Sequence, residues 1–438
     1  MSSSGTSEKA ALTDPRYNLM EKVLERNNMA LALKRVEQNK GAPGIDGMKT
    51  EELRGHFTNN WPDIESKLIQ GTYKPKPVKR VEIPKPGGGV RSLGIPTVLD
   101  RLIQQAILQI LDPIFDPDFA QESYGFRPKR NAHQAVKRAQ GYMEEGYDYV
   151  VDIDFEAFFD RVNHDVLMAK VARKVGDKRL LKLIGSYLRA GVMDQGVRVQ
   201  TEEGTPQGGP LSPLLANILL DTLDRELKRR GHKFTRYADD VNVYVKSRAA
   251  GERVMESIKG FAKRRLKLKV NEEKSAVDRP QKRKFLGFTL WWKQNRPATR
   301  LSSQALKRFK NKIRILTKKS WGISIVKRIE LLNSYLRGWM GYFSLIDTPS
   351  TLKILDQWIR KRLKVCLFKQ WKRAKTKRRK LIGLGVPEEW AKSIAASSKS
   401  LWRLVGVSHV NYALGPKYWR KRGLLSLTDM YQVLRGIS

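Results

Sequence analysis

Two apolar segments interrupted by carboxylates constrain this chain more than anything else in it. "YDYVVDIDFEAFFD" (147–160) and "FTRYADDVNVYV" (234–245) read as strands, yet between them they carry Asp152, Asp154, Asp239 and Asp240. Strands disfavour Asp. With period-two alternation, Val151, Ile153 and Phe155 face one side of the first strand and Asp152 and Asp154 the other. The second segment reads as a hairpin with Asp239 and Asp240 at its tip, where Asn-Gly or Asp-Gly would be the usual choice. Taken singly, an Asp pair reads as a solvated turn and the alternating strand as a sheet edge. If the strand pairs beside the hairpin, Asp154 meets Asp239 and Asp240. Three such carboxylates repel unless a cation neutralises them. Oxygen-only ligands suit Mg²⁺, with Mn²⁺ as a second choice. Two ions about 3.5–4 Å apart are the arrangement that serves phosphoryl transfer.

Charge points to the partner. The chain has 438 residues and a net charge of +41. Residues 281–438 hold 37 basic and 6 acidic side chains, whereas residues 1–280 hold 48 and 38. Such an excess on the last third predicts a polyanion, nucleic acid first. A single cysteine, Cys366, rules out an intrachain disulfide and any multi-cysteine zinc site. The five histidines have no zinc-binding spacing, and no apolar run is long enough to span a membrane. The polar start, residues 1–17, reads as a disordered tail without a signal peptide's apolar stretch, so a cytoplasmic protein, associated with nucleoid or ribonucleoprotein, is expected.

The periodicity predicts a helix over 18–41, closed by Gly41 and followed by a "GAPGIDG" loop (41–47). Residues 78–98 predict a hairpin with a Gly-rich turn at 87–89. Leu102, Ala106, Ile110 and Ile114 predict the buried stripe of a helix over 98–115. Leu215, Leu219, Leu223 and Leu227 do the same for 211–231. Beyond "FLGF" (285–288) the pattern turns helical and basic, and "KRAKTKRRK" (372–380) reads as a linker or phosphate-binding segment.

The motifs together resemble a known family. "YADD" (237–240) looks like the palm motif of reverse transcriptases, and "DIDFEAFFD" (152–160) like its partner, in which an aromatic residue follows the metal-binding Asp by five positions. "GTPQGGPLSPLLANILL" (204–220), "SYGFRPKRNAHQA" (123–135), "GAPGIDG", "KLKVNEEKS" (267–275) and "FLGF" extend the match. The ordered set resembles the reverse transcriptase–maturase encoded by bacterial group II introns, from about residue 18 to the end. The resemblance implies an RNA-directed DNA polymerase with Asp154, Asp239 and Asp240 as metal ligands for two Mg²⁺ and Asp152 as a neighbour. It makes Phe159 the steric gate under the sugar. Lys85 and Arg91 would clamp the triphosphate, Gln207 would bond the incoming nucleotide, and Lys274 would stand near the pyrophosphate leaving group as a general acid. Arg127 would touch the template backbone, and Gly208 and Gly209 would let backbone approach the template.

The implied fold class is α+β: a right-hand polymerase whose fingers and palm carry antiparallel sheet, then a helical thumb and a small DNA-binding module. The expected bounds are 18–298 for fingers and palm, 299–380 for the thumb or maturase domain and 381–438 for the DNA-binding domain. Expected partners are group II intron RNA, an RNA template with DNA primer, target DNA and dNTPs, with no membrane. The chain shows no paired Cys and His of an endonuclease domain, which suggests the group IIC type. Two other readings stand beside this one: a domesticated reverse transcriptase in DNA repair or phage defence, and a non-catalytic RNA-binding splicing chaperone.

Overall fold

The computed structural model describes residues 16–84, 90–194, 197–199, 203–204 and 208–436. The chain divides into two compact units, Met1–Arg279 and Pro280–Ser438.

In the first unit, β1 (Val78–Pro84) and β2 (Val90–Ile95) form the expected hairpin, whose turn lies outside the described residues. Strand β1 also pairs in parallel with β4 (Val192–Asp194), which pairs with β5 (Val197–Val199). The second sheet places β3 (Tyr149–Ile153) in its interior. Its order is β6-β7-β3-β8, with β6 Lys233–Tyr237, β7 Asp240–Val245 and β8 Ala276–Asp278, antiparallel throughout. The pleat sorts this sheet into two faces. Val151, Ile153, Val241 and Val243 share one face, and all four are fully buried. Helices Ser212–Arg229 and Arg248–Phe261 are packed against the sheet, the latter on β3, β7 and β8. The other face carries Asp152, Asn242, Tyr244 and Thr235 in register. With its amide turned to suit its neighbours, Asn242 donates to Asp152 Oδ1 at 3.0 Å. Tyr142, from helix Ala132–Glu144, covers Tyr244 at 5.3 Å between ring centres.

Several local expectations need correction. The 18–41 helix is two helices, Leu19–Leu24 and Arg26–Asn39, because Glu25 is extended at φ −52°, ψ 133°. Its last cap is Lys40 in the left-handed region, not Gly41. Helix Val98–Phe115 has the expected bounds and a Thr97 N-cap, but its buried stripe is Leu102, Ile103, Ala106, Ile107 and Leu111. Four-residue steps overshoot a full turn by about 40° each, so Ile110 and Ile114 drift towards the rim. The run 372–380 is mostly helix, Ala374–Ile382, rather than linker.

The second unit carries a hairpin near its start, β9 (Phe288–Lys293) with β10 (Arg296–Leu301). Helices Ser303–Leu316, Ile325–Phe343 and Pro349–Gln370 follow. Asp356 binds the start of helix Leu427–Arg435, accepting from the Leu427 and Thr428 backbone at 2.8 and 3.0 Å. Lys364 is 5% exposed, and its ammonium donates to Asn411 Oδ1 at 2.6 Å. Burial, helped by Arg360 and Lys361, holds its pKa down to about 8.

Two predictions follow from these buried charges. Arg236 and Asp224, described below, are both fully buried and paired at 2.6 Å. Arg236→Met strands a buried carboxylate and is expected to cost about 3–5 kcal/mol in urea unfolding, while adding Asp224→Leu should return much of that. For Lys364 the sign runs the other way from a stabilised ion. Below pH 8 it is charged in folded and unfolded chains alike. From about 8 up to its unfolded value near 10.5 only the unfolded chain keeps the proton, so stability rises with pH. The difference in urea midpoint between wild type and Lys364→Met should change across that window and be flat below it.

Candidate active site

The β3–β7 ladder ends at Ile153 opposite Val241. One further step in the same register would set Asp154 against Asp240, on the face that carries Asp152 and Asn242. Asp239 stands in the turn, since Tyr237 pairs with Asp240 across only two residues. The first of these, Ala238, has φ +57°, the positive φ that hairpin turns place at their first central position. For a residue with a Cβ this conformation costs about 1–2 kcal/mol, and the surroundings impose it.

Arg236 does most of the imposing. Its guanidinium takes Asp224 through Nε and Nη2, Asn217 Oδ1 at 2.8 Å and the Ala238 carbonyl at 3.0 Å. Burial pushes the Asp224 carboxyl up, and the guanidinium opposes it. Asn217 in turn donates to the Gly125 carbonyl at 2.9 Å. Gly125 lies directly on the turn: a Cβ there would overlap the Ala238 nitrogen and come within 2.9 Å of the Tyr237 carbonyl carbon. Tyr124 N donates to Arg236 O, and Arg236 N to Glu122 O, closing the frame.

Asp154 is held from its other side. Its N–H donates to Ser275 Oγ at 3.0 Å and its carbonyl accepts from Asn271 N at 2.8 Å. Lys274 is therefore the neighbour in sequence of a residue bonded to Asp154, and its own N–H donates to Asn271 Oδ1. After Asp154 the chain turns through Ala157 at φ +46° into Phe158 and Phe159. Phe158 is buried; Phe159 is half-buried, edge-on to it at 5.1 Å. The start of the 204–220 motif docks on this turn: Gly204 N donates to Val162 O, and Gly204 O bonds His164 Nε2.

Three of the expected template-side residues stand against protein. Arg127 is buried, with Nε on Asp116 Oδ1, Nη1 on the carbonyls of Ala120 and Ser123, and Nη2 on Asp116 O. That guanidinium braces a turn, with each of its nitrogens on an acceptor of the protein. Gly208 and Gly209 lie close against protein. A Cβ at Gly208 would lie 2.7 Å from Gly94 O, and one at Gly209 would overlap the Gln104 amide. Lys85 and Gln207 lie outside the described residues; Arg91 stands on β2 opposite Ile83. Arg236, Asp224, Asn217 and Gly125 were missed. Their signal was an Arg flanked by strand residues and an Asp within the leucine stripe at 220, 223 and 227.

A divalent ion fits the donor chemistry here, which is carboxylate oxygen only. Among the described residues, no three Asp, Glu, His or Cys side chains are already drawn close enough to hold one. Like charges stay apart until a cation offsets them.

Residues 83–290 match the family model for reverse transcriptase (RNA-dependent DNA polymerase), and residues 306–382 that for the group II intron maturase-specific domain. Protein YkfC of Escherichia coli K12 is 32% identical over 310 residues, 61% of this chain and 81% of that protein. Group II intron-encoded protein LtrA of Lactococcus lactis subsp. cremoris is 31% identical over 326 residues, 59% of this chain and 54% of LtrA, so the chain spans about half of LtrA's length. A putative COX1/OXI3 intron 1 protein of Saccharomyces cerevisiae is 30% identical over 232 residues, 53% of this chain and 26% of that protein. The fold and these matches define an RNA-directed DNA polymerase of right-hand architecture. Within that class, the chain belongs to the group II intron-encoded reverse transcriptase–maturase family. Its reverse transcriptase domain carries with it a dependence on divalent metal. Among the described residues no helix is long and apolar enough to cross a membrane.

The Gly125 contact is testable. Gly125→Ala should push the Ala238–Asp239 turn out of place and cut primer extension by at least about tenfold, while far-UV circular dichroism stays that of wild type.

Proposed function

We propose that Asp154, Asp239 and Asp240 form the polymerisation centre of a maturase that copies RNA into DNA and also binds its intron RNA. The observation that supports this reading is the β3–β7 ladder, which ends at Ile153 opposite Val241, one residue short of Asp154 on one strand and of Asp240 on the other. These three side chains would hold two Mg²⁺. When bound, such ions activate an attacking hydroxyl and stabilise a leaving oxyanion. The reaction is the in-line attack of a primer 3′-hydroxyl on the α-phosphate of a dNTP, with pyrophosphate departing.

The chain's own residues supply position. Phe159, braced on Phe158, would lie under the sugar and exclude a 2′-hydroxyl. Arg91, on β2, would grip the triphosphate together with Lys85, and Gln207 would bond the nucleotide. Lys274, on the loop bonded to Asp154, would give a proton to the leaving pyrophosphate. The substrates are then dNTPs and a primed RNA template. Intron RNA and target DNA are the further partners, drawn by the basic second unit.

Asp239→Ala should take primer extension on an RNA template below detection, with Mg²⁺ present. RNA affinity should stay within about twofold, because phosphate contacts by cations dominate it. Full extension by that variant would remove the site assignment. Normal splicing assistance by it would separate the two activities.

A further inference from the structure

The last module of the second unit exposes aromatic rings beside cations. Tyr412, on helix Ser408–Ala413, is 88% exposed; Trp390 is 49% and Trp402 41% exposed. Trp390 stacks on His409 with ring centres 4.4 Å apart and planes at 21°. His409 Nδ1 is buried without a hydrogen-bond partner in the structure. His409 and Tyr412 are three residues apart, so they share a face of their helix. The Lys361 ammonium lies 4.4 Å from the centre of the Trp402 ring. The two aromatic groups are tied together. Lys364, three residues along the same helix from Lys361, bonds Asn411, and Asn411 donates to Gly406 O at 2.8 Å. A Cβ on Gly406 would lie 3.8 Å from Lys361 Nζ. Residues 381–438 hold 8 basic and 3 acidic side chains, so the surroundings favour an anion.

Exposed rings with cations at their sides suit unpaired bases. Every base offers a π-face to stack, and the phosphates between bases take the cations. A base-paired duplex hides those faces. Lys361 and Lys364 also fall within residues 306–382, the maturase-specific match, so this surface continues a region whose family deals with intron RNA. We propose that Trp390, Trp402 and Tyr412 form a stacking platform for unpaired bases of an RNA strand, with Lys361 at its phosphates. The proposal rests on the RNA-binding reading above and adds the conformation that the RNA must present.

The test is fluorescence anisotropy on the full chain with three labelled probes: a single-stranded U-rich RNA 12-mer, its DNA counterpart and an RNA duplex of equal length. Tyr412→Ala removes only an exposed ring, so it should fold as wild type. It is expected to weaken the single-stranded RNA by at least about fivefold, with the duplex unchanged and Tyr412→Trp restoring binding. Trp402→Ala should act in the same direction. An unchanged affinity for single-stranded RNA overturns the proposal. So does an equal loss on duplex, which would mean charge alone, or a loss confined to the DNA strand, which would make DNA the occupant. Extension from a pre-annealed primer is measured alongside. Failure of wild type to extend would count against the polymerase reading and leave the binding result intact.

Discussion

A single buried ion pair holds the candidate active site together. Arg236 and Asp224 are both removed from water, and every nitrogen of the guanidinium is engaged. Such a pair contributes little to net stability compared with packed hydrocarbon. Its value lies in position. One side chain reaches helix Ser212–Arg229 through Asp224 and Asn217, and the strained turn through the Ala238 carbonyl. Through Asn217 it also reaches Gly125. Segments that lie far apart in sequence meet on one rigid, planar fork. An Arg is suited to this because its five donors are fixed in a plane.

The sheet then works as a partition. Valine and isoleucine side chains fill one face under two helices, and the same pleat delivers the carboxylates to the other. Alternation keeps the carboxylates of β3 off the apolar face, and the one charge that β6 sends into it, Arg236 opposite Val241, is neutralised by Asp224. The charge of the chain is divided as well. The first unit is close to balanced for its size, while the second carries most of the excess. A carboxylate site works best where neighbouring lysines do not compete with metal for it. A grip on phosphates needs the reverse.

How much of this could be read from the sequence varies with the physics involved. The alternation in 147–155 predicted the faces of β3 correctly, because a period of two is local and a one-residue slip would bury Asp152 and Asp154. The bounds of helix Val98–Phe115 were legible from its cap and its apolar period, but its buried stripe was not, because four-residue spacing drifts round a helix of 3.6. The break at Glu25 gave no composition signal. Arg127 shows the main limit. A cation in a motif looks solvent-bound and functional until the carbonyls that surround it are known, and those come from residues brought together by the fold. Arg236 shows the same limit from the other side. Its partner Asp224 is visible in the helix stripe only as an anomaly, and only the tertiary structure pairs the two.

One small stitch has a mechanical consequence. Ser275 Oγ meets both the N–H and the carbonyl of Asp154, 121 positions earlier in the chain, and Asn271 N adds a third bond, to the same carbonyl. The loop from Asn271 to Ser275 is thereby fastened at both ends to the backbone of Asp154, so that neither segment shifts without breaking these bonds or moving the other.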